Sequence, residues 1–185
     1  MKRVMMFAAM VIVPLMLFSQ KSFCQNTQTS SNKSDTSISF PQKAYSSGMM
    51  EIKLGRLAQQ NASSDKVKQF GERMITDHSK ANKELEDIAR KNNISLPDKM
   101  FDENQDAYNE LSKYKGAEFD KNYINKMVKD HKSAISDFEK AKENADNTDV
   151  RQWAQNTLPT LKQHLELEQQ TQKTLNKGKQ NNQSK

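Results

Sequence analysis

The stretch 65–92, DKVKQFGERMITDHSKANKELEDIARKN, predicts the fold class more clearly than any other part of the chain. Its apolar residues recur three or four positions apart, which is the spacing of one face of an α-helix. Ser64 comes directly before the stretch and suits the N-cap position, where a hydroxyl accepts a hydrogen bond from a free backbone N–H. The predicted inward stripe consists of Val67, Phe70, Met74, Asp77 or His78, Ala81, Leu85 and Ile88.

Three other stretches, at about 41–60, 117–144 and 149–175, have the same helical periodicity. The chain holds only 5 glycines and 4 prolines in 185 residues. So few turn-forming residues favour long helices over a many-stranded sheet. The three further stripes are Ala44, Gly48, Glu51, Leu54, Gly55 and Ala58; Phe119, Tyr123, Met127, His131, Ala134 or Ile135 and Phe138; and Trp153, Thr157 or Leu158, Leu161, His164 or Leu165 and Glu168.

The connections between the four predicted helices are short, long and short. Tight turns are expected at 61–64 and 145–148, while 93–116 forms a long connection that can hold a short helix near 107–114. One long crossover between two helical hairpins is typical of ferritin-like bundles. The sequence therefore predicts an all-α, ferritin-like antiparallel four-helix bundle with a long connection between helices 2 and 3. A plain up-down bundle with a bulky connection is the alternative.

The first part of the chain has the features of an export signal. Lys2 and Arg3 precede an apolar run over 4–18, which is shorter than the roughly 20 residues of a comfortable membrane span. We therefore expect a signal peptide at 1–24, a disordered polar tether at 25–39, the bundle domain at 40–176 and a disordered tail at 177–185. The expected location is the periplasm or the outer membrane, with no transmembrane segment in the mature chain.

Cys24, the single cysteine, lies at the end of the predicted signal. Ordinary cleavage before Gln25 and lipidation of Cys24 are both open, and Phe23 favours cleavage because a usual lipobox has a small residue there. Either way, the bundle domain carries no disulfide and no cysteine-based metal or nucleophile site.

Charge argues against a nucleic-acid partner. The formal charge of +6 falls to +3 when Lys2, Arg3 and Lys21 are removed with the signal. The remaining basic residues alternate with acidic ones, as on solvated helix faces, and no basic stripe interleaves with aromatic residues. Protein partners are not specified by the sequence.

A polar group interrupts each inward stripe. These groups are Glu51 and the only three histidines of the chain, His78, His131 and His164. Each histidine lies near the middle of its helix, so the three imidazoles should share one layer whichever way the helices run. By our count of residues from the first turn, Glu51 is offset from that layer by roughly 7 Å.

Three imidazoles and a carboxylate would suit a transition metal ion such as Zn, Cu or Fe. Asp77 and Asp130, each directly before a histidine, are candidates to hold the ligand rings or to face solvent. Met74 and Met127, each four residues before a histidine, are candidate soft ligands for Cu(I), although methionine in a helical seam more often fills a core.

The same residues carry a family resemblance over about 40–174. The chain contains, in order, Gly48-x-x-Glu51-x-x-Leu54-Gly55-x-Leu57-Ala58, Met74-x-x-Asp77-His78, Phe119-Asp120-x-x-Tyr123, Asp130-His131 and Leu158-Pro159-x-Leu161-x-x-His164. As a set, these motifs resemble the bacterial family known as domain of unknown function 4142. That resemblance implies an exported protein with a ferritin-like fold and brings no established reaction.

The chain departs from the di-iron ferritin pattern, which needs Glu-x-x-His on two helices. The positions three residues before the histidines hold Ile75, Val128 and Leu161. The sequence also lacks a Gly-rich phosphate loop, a His-Glu-x-x-His string and a Ser-His-Asp arrangement. Two functions follow as hypotheses. The favoured one is a non-catalytic envelope or stress-related module with a buried polar layer, and the alternative is a metal-binding bundle; an enzyme of another kind is not excluded.

Overall fold

The computed structural model describes residues 38–183, with side chains to residue 177, as a bundle of five helices. The helices are α1 (Phe40–Asn61), α2 (Asp65–Asn92), α3 (Asp102–Leu111), α4 (Gly116–Asn144) and α5 (Thr148–Gln183). No strand occurs in this part of the chain. The all-α prediction is confirmed.

The predicted helix bounds agree closely with the structure where local signals are strong. The helix α2 has the predicted bounds, and it ends where Asn93 takes a left-handed backbone conformation with φ of 54°. The helix α1 begins one residue earlier than predicted, because the Ser39 backbone N–H donates to Gln42 Oε1 at 3.0 Å and completes the cap.

Two predicted segments differ from the structure. The short helix expected near 107–114 lies at Asp102–Leu111, where a long-range contact fixes its start: Ser46 Oγ accepts from the Phe101 backbone N–H and from the Asn104 amide, both at 2.8 Å. The last helix does not end near residue 175 but continues to Gln183, through most of the predicted disordered tail. The stretch 176–183 contains no proline, and its one glycine, Gly178, costs a helix interior only roughly 1 kcal/mol relative to alanine.

Neighbouring helices run antiparallel. In the first hairpin, Gln59 of α1 donates to the Lys68 carbonyl near the turn, and Tyr45 donates to Glu86 at the far end. In the second hairpin, α4 and α5 are joined by Lys162 and Glu139 at 2.7 Å. The two hairpins meet through α2 with α5 and through α1 with α4.

Asp120 of α4 caps the beginning of α2. Its carboxylate accepts from the backbone N–H groups of Ser63 and Ser64 at 3.2 and 2.9 Å and from the Ser63 hydroxyl at 2.6 Å. Ser64 is the N-cap residue, as predicted, but its own side chain makes no capping hydrogen bond. The contact also puts the beginnings of α2 and α4 at the same end of the bundle.

The two glycines of the α1 stripe allow α2 to approach closely. A Cβ on Gly55 would lie 2.5 Å from the Gly71 carbonyl oxygen, and one on Gly48 would lie 2.1 Å from Asn82 Oδ1. Glycine in a helix costs roughly 1 kcal/mol of stability relative to alanine. The close packing of α1 against α2 that these two glycines allow compensates for that cost.

The predicted signal peptide at 1–24, Cys24 and the tether up to residue 37 lie outside the described residues. Of the described helices, none has the combination of length and apolar character that a bilayer span requires.

We predict that Gly55→Ala lowers the free energy of unfolding by about 1–3 kcal/mol, because the new methyl group meets backbone that cannot move aside. Urea denaturation monitored by circular dichroism measures the change. As a control, Gly48→Ala in an Asn82→Ala background should cost far less, since the atoms it would meet belong to the side chain that has been removed. A gain of about 1 kcal/mol for Gly55→Ala, as helix propensity alone would give, would contradict the close contact.

Candidate metal centre

The three histidines meet in one layer of the bundle. The ring centroids of His131 and His164 are 5.2 Å apart, and His78 lies 5.7 and 5.5 Å from these two rings. One ring nitrogen from each histidine lies within 4.8 Å of the other two. The predicted single layer is confirmed, and it draws on α2, α4 and α5.

The layer is shielded from water. His131 and His164 are each 1% exposed. His78 is partly exposed as a residue, but its Nε2 atom is buried and finds no hydrogen-bond partner among the described residues. A buried ring nitrogen without a partner costs free energy, so something must compensate for it.

The Nδ1 atom of His131 faces two acceptors. It lies 2.8 Å from Glu168 Oε1 and 3.2 Å from the Met127 carbonyl oxygen one turn earlier on α4. Glu168 is fully buried. Because both neighbours of Nδ1 accept hydrogen bonds, this nitrogen carries the ring proton.

The Nε2 atom of His164 faces an acceptor in the same way. It lies 2.8 Å from Asp77 Oδ2 on α2. Asp77 is held in turn by Arg73, whose Nε donates to the same oxygen at 3.2 Å and whose other end donates to Gln163. This carboxylate fixes the ring orientation and assigns the proton of His164 to Nε2.

The two remaining nitrogens of these rings face each other. His131 Nε2 and His164 Nδ1 are 3.2 Å apart. With the other nitrogens protonated toward carboxylates, both facing atoms offer lone pairs, which repel. A cation between them, either a proton or a metal ion, removes the repulsion.

Carboxylates and a phenol surround this layer with few partners of their own. Within the described residues, Glu51 Oε2, both oxygens of Glu168 and the Tyr123 hydroxyl are buried without a hydrogen bond of good geometry. Burial raises the pKa of the Glu51 carboxyl to about 8. Burial likewise raises the pKa of Glu168 and that of Tyr123.

The histidines have divergent pKa values. Burial, the largest influence, would lower the pKa of His131, yet contact with Glu168 and the nearby Glu51 charge raise it to about 9. Burial lowers the pKa of His164 to about 4 against the opposing contact with Asp77. Burial and the charge of His131 lower the pKa of His78. Without a metal, one proton on His131 therefore supplies the cation between the facing nitrogens.

Glu51 lies closer to the histidine layer than the 7 Å offset that we predicted. Gly55 packs against Gly71. Gly48 packs against Asn82. By helical register, these two contacts put Glu51 level with residues 75–79 of α2, within roughly 4.5 Å of His78 along the axis. Glu51 is 4% exposed and is not part of the group of nitrogens within 4.8 Å of one another.

The other four candidate residues separate into two kinds. Asp77 holds a histidine ring, whereas Asp130 pairs with Lys126 at 2.7 Å on its own helix. Met74 and Met127 are fully buried in the apolar core. Their positions fit the core-filling interpretation of these side chains.

Sequence reasoning did not select Glu168 as a site residue. It was placed on the inward stripe of the last helix, four residues after His164, and that spacing puts the two side chains on one helical face. An acidic residue predicted to be buried on the same helical face as a histidine was the sequence signal that could have identified Glu168 as a site residue.

Comparison with known proteins gives one family. Residues 22–171 match the family described as a domain of unknown function (DUF4142). Neither the curated proteins nor the solved structures contain a match to the chain.

The metal-free protein should lose stability as the pH rises from about 6.5 to about 9. Folded His131, with a pKa of about 9, and folded Glu51, with a pKa of about 8, keep protons in this range. The unfolded chain releases them, so each group removes up to about 1.4 kcal/mol per pH unit. His164, with a folded pKa of about 4, opposes this trend only up to about one pH unit above the unfolded pKa of 6.5, where it becomes neutral in both states.

Urea denaturation of chelator-treated protein at several pH values measures this slope. Glu51→Gln should flatten the slope below pH 8 and should also lower the pH at which the His131 part ends, because the Glu51 charge helps to raise the pKa of His131. A stability that stays constant or rises across the range would contradict the assigned protonation.

Proposed function

Because the chain belongs to the DUF4142 family, whose description assigns no activity, we propose its function from the site: a helical-bundle protein that binds a divalent transition metal ion in its core. The ligands are His78 Nε2, His131 Nε2 and His164 Nδ1.

The distance between the facing nitrogens of His131 and His164 carries this proposal. Two imidazole nitrogens bound to one tetrahedral zinc ion are roughly 3.3 Å apart, given zinc–nitrogen bonds of about 2.0–2.1 Å. The observed separation of 3.2 Å between His131 Nε2 and His164 Nδ1 is close to that distance. The buried and unpartnered Nε2 of His78 supplies a third donor to the same space.

The partners of the other ring nitrogens support the same proposal. Histidines that bind metals usually donate their second N–H to a carboxylate or a carbonyl group. Asp77 takes this position on His164, and the Met127 carbonyl takes it on His131, where Glu168 Oε1 also lies 2.8 Å from the same nitrogen. These contacts turn the free nitrogens of the two rings toward each other.

The donor set favours zinc, copper or iron. Imidazole nitrogens suit all three, and the methionines adjacent to the site belong to the apolar core. Glu51 stays a candidate for a further ligand, because its buried Oε2 has no partner within residues 38–183.

A buried polar layer without a metal is the competing function, and a proton on His131 would satisfy the facing nitrogens in that case. A metal-free layer of this kind leaves His78 Nε2, Glu51 Oε2 and Tyr123 Oη without hydrogen-bond partners among the described residues. Polar layers that specify helix register are expected to be fully hydrogen-bonded. The unpaired atoms therefore favour a metal ion over the purely structural function.

We also propose that the bundle is ferritin-like, with one connection running back along its length. The contact of Ser64 with Asp120 supports this, because α2 and α4 then begin at the same end. The contact of Lys91 with Asp149 supports it as well, since the end of α2 meets the beginning of α5. A connection from α2 to α4 must then span the bundle.

Export is part of the proposal. Lys2 and Arg3 ahead of an apolar run support a removable signal. The metal centre would then work in the periplasm or at the outer membrane, whether the chain is cleaved at Gln25 or lipidated at Cys24.

Protein purified from periplasm without an added His tag should contain close to one metal ion per chain, as measured by elemental mass spectrometry. The His78→Asn/His131→Asn/His164→Asn variant should contain none and should keep its helical circular dichroism spectrum. Failure of the unaltered protein to bind zinc, copper or iron even after incubation with each ion would refute the metal centre.

Asp77→Asn should weaken metal affinity by about 10- to 100-fold, because the amide cannot supply the negative charge that strengthens His164 as a ligand. Competition with a chromophoric chelator measures the affinity. Asp130→Asn is the matched control, since Asp130 also precedes a histidine but pairs with Lys126. Equal losses in the two variants would show that the proposed role of Asp77 is wrong.

A further inference from the structure

A cleft of about 1100 Å³ opens beside the histidine layer. Glu51, His78 and His131 line it at the layer, while His164 is not among its lining residues. A metal ion bound by the three histidines would therefore have one side facing the cleft. Structural zinc sites are closed by four protein ligands, whereas sites that bind exogenous molecules keep a position open.

The two ends of this cleft differ in chemistry. Near the histidines its lining includes His78 and Glu51, whose Nε2 and Oε2 atoms are buried behind the cleft surface without a hydrogen-bond partner among the described residues. Along α4 and α5 its lining includes an apolar strip of Ala134, Phe138 and Leu161, which is bordered by the polar residues Asp137 and Lys140 of α4. Binding sites for small molecules combine an apolar wall with a few convergent polar groups in this way.

Trp153 marks the far end of the apolar wall. It lies eleven residues before His164 on α5, which corresponds to roughly 16 Å along the helix. Trp153 is 5% exposed, and its indole Nε1 has no hydrogen-bond acceptor among residues 38–183. The cleft thus offers a ligand-binding centre at one end and an apolar, aromatic surface along the remainder.

We propose that this cleft binds a small carboxylic acid with an apolar body, whose carboxylate occupies the open position of the metal and whose body lies along the α4–α5 wall. The proposal rests on the proposed metal centre. A carboxylate suits the centre because three imidazole ligands leave a position of a divalent ion open to an oxygen donor, which zinc and iron accept. An apolar body suits the wall because burial of each methylene group is favourable.

The test uses the full chain loaded with Co²⁺, which reports its ligands through its visible absorption. Acetate, butyrate, hexanoate and octanoate are titrated in turn. The Co²⁺ absorption follows the carboxylate, and the fluorescence of Trp153, the only tryptophan of the chain, follows the body. Both signals should give one dissociation constant, which tightens by up to about fourfold for each added methylene group.

A variant tests the position of the body. Ala134→Phe fills the apolar part of the cleft and should weaken octanoate binding by at least tenfold, while the Co²⁺ spectrum without acid stays unchanged. Ala117→Phe is the matched control, because Ala117 is exposed on the same helix and does not line the cleft. In chelator-treated protein, octanoate should bind at least tenfold more weakly.

The outcomes separate the two proposals. Failure to load Co²⁺ would overturn the metal centre and this inference with it. Normal loading without a spectral change on addition of any acid, or with an affinity independent of chain length, would overturn the inference and leave the metal centre standing. The chain-length series uses the unaltered protein, so it decides the matter even if Ala134→Phe does not fold.

Discussion

The structure of the site depends on one constraint: two imidazole nitrogens that both offer lone pairs face each other across 3.2 Å. Asp77 and Glu168 impose this arrangement by taking the opposite nitrogen of each ring. A cation must lie between His131 and His164, and the buried site accepts a proton or a metal ion for that purpose. Protonation and metal binding are therefore competing states of the same pair, and metal binding should release a proton.

The bundle supplies that arrangement because its helices are long and closely packed. The histidines come from three helices, so their convergence needs a fixed register between the two hairpins. Gly55 against Gly71 sets the register within the first hairpin, and the contacts of α2 with α5 set it between the hairpins. Met74 and Met127, each one helical turn before a histidine of the layer, are fully buried in the apolar core.

Much of the fold followed from the sequence because local patterns determine it. Periodicity predicted the bounds of α2, although the cap at its start comes from Asp120 and not from the Ser64 side chain. The position of each histidine near mid-helix predicted their common layer. Nonlocal contacts determined what the sequence could not predict. The start of α3 depends on Ser46, the level of Glu51 depends on which residues of α2 oppose α1, and the contact of Glu168 with His131 depends on the register of α4 against α5. The sequence cannot identify the metal ion, because imidazole donors suit several metals.

The cap that Asp120 provides to α2 has a consequence for how the chain folds. The hydrogen bonds from Ser63 and Ser64 cross more than fifty positions of sequence, so an isolated first hairpin lacks the acceptor that completes the first turn of its second helix. That turn can form fully only after α4 has docked. The two hairpins are thus coupled at their ends as well as at their middle, and contacts of such long sequence separation slow folding while making it more nearly all-or-none.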